Sequence, residues 1–119
     1  MIHGSVKASQ RNKTLIPNGL RTSNIWDRLR GLLGRKQLNE EQGLWISPCP
    51  SVHTIGMRYP IDVVFLDRRG EVKKISHNLK PMKFSSCVGA YSVLELTEGM
   101  AEKLQIAPGM ELQWETHKV

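Results

Sequence analysis

The chain has 119 residues, 39% of them apolar and 24% charged, proportions that suit one domain and exclude a multidomain enzyme, a fibrous repeat and wholesale disorder. Seventeen Lys and Arg against eleven Asp and Glu leave a formal charge of +6. No apolar run approaches the ~20 residues of a membrane span, and Met1 to Gln10 lacks the apolar core of a secretory signal, so the reading is a single cytoplasmic domain over 1–119 with no membrane partner. The basic excess is uneven. Residues 1–40 hold eight Lys or Arg and two acids, and the last 39 residues hold three and five. A basic N-terminal third suits a polyanion. Its groups are spread out and aromatic residues are only 6% of the chain, so nucleic acid is carried as an alternative partner and not as the expected one.

In chain order, Ile2 to Ala8 alternates as a first strand, Lys7 to Lys13 reads as a loop, and Thr14 to Ile16 continues the strand before a Pro17-Asn18-Gly19 turn. Thr22 or Ser23 can cap a helix whose apolar positions Ile25, Trp26, Leu29, Leu32 and Leu33 recur at helical spacing and which ends near Gly34. Trp26 and Trp45 are expected in the core, with Trp114 half exposed. Short β-branched and apolar runs then predict strands at 44–47, 51–55, 61–66, 71–78, 92–96 and 110–114. Asp67-Arg68-Arg69-Gly70 makes a hairpin, and Thr97 caps a second helix over 98–104. The fold class is α+β: a mainly antiparallel sheet, barrel-like or strongly curled to hide its edges, with about two helices. The apolar run of Ile61, Val63, Val64, Phe65 and Leu66 should be a central strand buried on both faces.

Three polar groups stand where burial is costly. Asp62 interrupts the central strand, Glu95 interrupts Val93-Leu94-Glu95-Leu96, and His53 lies in a strand next to Pro50. If those strands are neighbours, one pocket holds an imidazole and two carboxylates, a set suited to acid–base work. The plainer reading is that each acid caps loop amides or pairs with an arginine such as Arg58. Cys49 and Cys87 are the only cysteines and read as reduced. With His53 they could form a Cys2His zinc site with an open fourth position, but the Cys-x2-Cys pair of structural sites is missing, so neither a metal nor a cofactor is expected. Gly-rich nucleotide loops and a Gly-x-Ser-x-Gly elbow are absent.

The run from Cys49 to Gly70, CPSVHTIGMRYPIDVVFLDRRG, resembles the signature of the bacterial and archaeal family catalogued as domain of unknown function 192. The helix block Trp26 to Arg35 and the block Val93 to Gly99 resemble its flanking motifs, so the likeness spans about residues 20–112, with 1–19 an added strand and loop. The resemblance implies a small, barrel-like, β-rich fold and little about activity. Many members carry an export signal and a Trp-Met-Lys-Asn-Thr stretch. Here that stretch reads Ile55-Gly56-Met57-Arg58-Tyr59, which is similar to a cytosolic His-Thr-x-Gly-Met-Arg branch. Matched residue by residue, the motifs single out His53, Thr54, Met57, Arg58, Asp62 and Glu95 as a candidate ligand pocket, with Pro60, Asp67 and Gly70 structural. The resulting expectation is a protein of unknown function acting as a small binding or accessory module for a small ligand or a protein partner. The alternatives are a hydrolytic or metal-assisted enzyme using His53 with Asp62 or Glu95, and a nucleic-acid binder.

Overall fold

The structure, a computed structural model, describes residues 1–118. Nine strands and two short α-helices are β1 (Ile2–Ala8), β2 (Lys13–Arg21), α1 (Ile25–Arg30), β3 (Gln42–Ile46), β4 (Ser51–His53), β5 (Ile61–Leu66), β6 (Val72–Leu79), β7 (Phe84–Ser86), β8 (Ser92–Thr97), α2 (Met100–Lys103) and β9 (Leu112–Thr116). Seven strands form one sheet in the order β6-β5-β8-β3-β2-β1-β9, and β4 pairs with β7 as a separate ribbon. Every pairing in the large sheet is antiparallel except β2 with β3. Parallel neighbours need a crossover rather than a hairpin, and residues 22–41, which contain α1, supply it.

The α+β class with a mostly antiparallel sheet and two helices is what forms. The sheet, however, is open, which corrects the barrel-like, strongly curled sheet expected from the sequence. Among the described residues no ladder joins the edge strands β6 and β9. The bridge Glu71↔Glu111 and the backbone bonds around it (Val72 N–H to the Met110 carbonyl at 2.7 Å, Gly109 N–H to the Val72 carbonyl and Leu112 N–H to the Gly70 carbonyl, each at 2.8 Å) join only the starts of the two strands. The edges are guarded by other means. β6 is interrupted by irregular register against β5 and carries exposed Lys73 and Lys74, features that discourage pairing with another chain.

Two further expectations are overturned at the N-terminal end. Pro17-Asn18-Gly19 is not a turn, because β2 runs through it and Asn18 and Gly19 pair with Gln42 and Gly43 of β3. The expected loop at 7–13 is only a 3-10 turn at Ser9–Arg11. α1 is capped by Asn24, whose side chain accepts from the Asp27 N–H at 2.9 Å, while Ser23 donates to the Asp27 carboxylate. β7 was not legible, since Phe84-Ser85-Ser86 has no apolar alternation.

The core lies in two clusters separated by the sheet. One gathers Val6, Ile16, Val64, Leu66, Leu94 and Leu96 with Met100 and Ala101 of α2. The other gathers Leu44, Ile46, Ile61, Val63, Phe65 and Val93 with Leu32, Leu38 and Val52. β5 and β8 are buried along their whole length and supply both clusters alternately, as strands of period two must. Trp45 is in the core and Trp114 is half-buried, as expected, but Trp26 is 76% exposed.

The β5–β6 turn is set by Asp67, whose carboxylate accepts the N–H groups of Arg69 and Glu71, and by Gly70 at φ +86°. A Cβ on Gly70 would stand 2.2 Å from the Leu112 carbonyl oxygen, an atom that belongs to the backbone and cannot swing away. Gly70→Ala is therefore expected to cost roughly 2–3 kcal/mol, read as a lower midpoint in urea unfolding.

Candidate functional site

Register decides where the two strand acids point. Asp62 stands opposite Leu96 and Glu95 stands opposite Val63. The carboxylates are thus one step apart in register and lie on opposite faces of the sheet. The single pocket expected to hold His53, Asp62 and Glu95 together does not form.

Asp62 is fully buried on the α2 side. One of its oxygens accepts the Ala101 N–H and the other accepts the Asn78 N–H, each at 2.9 Å. Asp62 therefore anchors the first turn of α2 and the end of β6, the amide-capping role weighed against chemistry from the sequence, and Arg58 takes no part. Thr54 is structural in the same way. It is buried, donates to the Lys80 carbonyl at 2.6 Å and accepts the Lys83 N–H at 2.9 Å, fastening the loop before β7.

Glu95 has no such partners. It lies on the other face among Leu44, Ile46 and Val63, is 5% exposed, and its Oε1 has no hydrogen-bond partner. Burial pushes its carboxyl up from an ordinary 4.5 to about 7. The carboxyl lines a cavity of about 90 Å³ whose walls include Leu32, Ile46, Val52, Met57 and Ile61, with Cys49 and His53 contributing as well. The backbone of the turn after α1 closes over it. Gly31 holds φ +53° there, and a Cβ at that position would approach Glu95 Oε1 to 3.4 Å. The turn is pinned from both sides: the Tyr59 hydroxyl donates to the Arg35 carbonyl at 3.1 Å, and Arg35 Nε donates to the Gly31 carbonyl at 2.9 Å. Burial raises the Tyr59 hydroxyl pKa, with the nearby Glu95 charge adding to the effect.

The remaining candidates divide. Met57 lies between the Glu95 cavity and a wider groove of about 560 Å³ that also takes in Arg58, Tyr59, Arg35 and Lys36. Arg58 belongs to that outer groove only, exposed and without an ion pair among the described residues. His53 is exposed at the cavity mouth, its ring 6.0 Å from that of Phe84. The structure thus brings His53, Met57 and Glu95 to one cavity, sets Arg58 beside it, and leaves Thr54 and Asp62 elsewhere. The sequence reading missed Gly31, Tyr59 and Arg35 as the frame of the site. Only the odd glycine inside Arg30-Gly31-Leu32 hinted at it.

The zinc alternative fails on geometry. Among the described residues no group of three or more His, Cys, Asp or Glu side chains is placed to hold a metal ion. In β4 the alternation turns Val52 inward and His53 outward. Cys49 donates to the Ser51 carbonyl and Cys87 to the Val88 carbonyl, both as free thiols. Burial, with Glu95 adding to it, raises the Cys49 thiol, so it is protonated at neutral pH and a poor nucleophile. The basic N-terminal third is also partly engaged: Arg11 bonds the carbonyls of Leu104 and Gln105, and Arg30 bonds that of Leu33.

The chain belongs to the DUF192 family, described as "Uncharacterized ACR", whose profile matches residues 21–114. Among solved structures it is similar to a protein of unknown function from Novosphingobium aromaticivorans DSM 12444, at 24% identity and TM-score 0.75 over 94% of this chain and 84% of that one. It is also similar to a "putative transcription regulator" from Sinorhizobium meliloti 1021, at 21% identity and TM-score 0.82 over 94% of this chain and 93% of that one. At these identities the likeness establishes the fold alone. No curated protein matches the sequence.

Two measurements separate the two acids. Asp62→Ala leaves the buried Ala101 amide and the part-buried Asn78 amide unpaired and is expected to destabilise the fold by roughly 1–3 kcal/mol, measured by urea unfolding at pH 7. Glu95 should act oppositely. Its folded pKa of about 7 lies above the ordinary 4.5, so the folded state binds the proton more tightly and stability falls as pH rises from 4.5 through 7. Glu95→Gln should flatten that part of the stability–pH curve and raise stability at pH 8 by on the order of 3 kcal/mol.

Proposed function

We propose that this protein is a small binding or accessory module of one domain, acting in the cytoplasm, whose Glu95 cavity receives the hydrogen-bond-donating end of a small ligand or of a partner's peptide. One observation carries the reading: a fully buried carboxyl with an unpartnered oxygen lines a cavity whose other walls are mostly apolar. Leaving a buried acceptor unpaired costs about 1–3 kcal/mol. A cavity of about 90 Å³ has room for ordered water or for the tip of one side chain or small molecule. Among the described residues no helix is long and apolar enough to cross a membrane, which accords with the proposed location.

An acyl-transfer or hydrolytic role has less support. A carboxyl titrating near 7 could serve as a general base. Yet Asp62 is on the far face, the Cys49 thiol is protonated, and His53 stands out at the rim.

Short amines, alcohols and amides of matched shape, n-butylamine, n-butanol and propionamide among them, distinguish a binding cavity from a packing defect. Titrated into isotope-labelled protein, the donor-bearing compounds should move the amide resonances of Gly31, Leu32 and Met57, and Glu95→Leu should weaken the effect by about tenfold or more. If no donor-bearing compound moves those resonances in the parent protein, the reading is wrong.

A further inference from the structure

The largest exposed apolar side chains are not scattered singly. Ile25, Trp26 and Leu29 of α1 are 53%, 76% and 68% exposed, and α1 buries no residue at all. Leu33, in the turn that follows α1, lines the same cavity mouth as Leu29 and is 40% exposed. Leu33 in turn touches the loop after β4: its Cδ1 lies 2.9 Å from where a Gly56 Cβ would stand, next to exposed Ile55. That loop holds the one before β7, where the Met82 N–H donates to the Thr54 carbonyl and Met82 is 69% exposed. Phe84, 71% exposed, continues the face beside His53.

Apart from Asp27, the charges set among these groups are cationic. Arg28 and Arg30 rim the cavity mouth with Leu29, Leu33 and Ile55. Arg58, Lys80 and Lys83 stand on the two neighbouring loops, all exposed. The segments that build the face, residues 25–39, 42–61 and 72–94, contain one acid, Asp27, whose carboxylate is taken up by the Ser23 hydroxyl and the N-terminal amine. An apolar face whose unpaired charges are all cations repels a second copy of itself. It also fits nucleic acid badly, since most of its apolar tips are aliphatic and give bases nothing to stack on. Exposed apolar tips, one of them a tryptophan, interleaved with Lys and Arg are what an anionic interface takes up: the tips enter the headgroup layer and the cations pair with lipid phosphates.

We propose that α1 and the loops following β4 and preceding β7 form a docking face for an anionic lipid bilayer, with Trp26, Leu29, Ile55 and Met82 as the inserting residues. No spanning segment is needed. The proposal is independent of what the Glu95 cavity binds, although the mouth of that cavity opens within the same face.

Co-sedimentation with vesicles tests it, using phosphatidylcholine alone and phosphatidylcholine with one quarter phosphatidylglycerol. The protein should bind only the anionic vesicles, and high salt should release it. Its tryptophan emission should shift to the blue on binding. Trp45 is buried and Trp114 half-buried, so the shift should vanish in Trp26→Phe. Trp26→Ser with Leu29→Ser should lower binding by about tenfold while the thermal midpoint holds, because neither side chain is in the core. Failure to bind anionic vesicles overturns the proposal. So does binding without a Trp26 shift, or retention by heparin or polyglutamate in the absence of vesicle binding.

Discussion

The structure depends on a parity constraint at its centre. β5 and β8 are adjacent antiparallel strands, buried on both faces, and each carries one acid. A carboxylate inside a sheet must find donors on whichever face its register assigns. Asp62 faces α2 and meets two backbone amides. Glu95 faces the crossover between β2 and β3, where the chain offers it a glycine and apolar walls and leaves Oε1 without a donor. The same strand pair therefore yields one acid that stabilises the fold and one that opposes it when ionised.

The crossover itself follows from the one parallel pairing. Because β2 and β3 run in the same direction, the chain must travel back along the sheet between them, and it does so through α1 and the turn at Gly31. Tyr59 and Arg35 fix that turn by hydrogen bonds to its carbonyls rather than by burying α1. The helix is therefore held by its C-terminal end while its apolar side chains stay in water. A roof built this way can close over a small cavity without filling it, since Gly31 contributes backbone and no side chain. Site and exposed face are two results of one connection.

Much of this was legible in the residues. The apolar run of Ile61, Val63, Val64, Phe65 and Leu66 identified the central strand, Asp67 and Gly70 marked the hairpin, and the isolation of Asp62 and Glu95 among apolar neighbours identified both as groups needing an explanation. Register was not legible. A shift of a single residue between β5 and β8 would have put both acids on one face, and nothing in either strand's composition fixes that choice. The helix around Trp26 misled for a different reason: its 3.6-residue spacing describes an apolar stripe but does not say what covers it. The apparent turn at Pro17-Asn18-Gly19 failed because the parallel partner β3 holds that segment extended. At the β6 edge, lysines and irregular register protect the open sheet in place of a closing ladder.

The central claim is that Glu95 is a buried carboxyl with no internal donor. Its most direct test is a side-chain carboxyl titration of Glu95 by carbon-detected nuclear magnetic resonance on the ligand-free protein, assigned by comparison with Glu95→Gln. The account predicts a midpoint near 7, as burial without a compensating charge requires. A midpoint at the ordinary 4.5 would contradict it, because the carboxylate would then be solvated or paired and the cavity would offer a ligand nothing to satisfy.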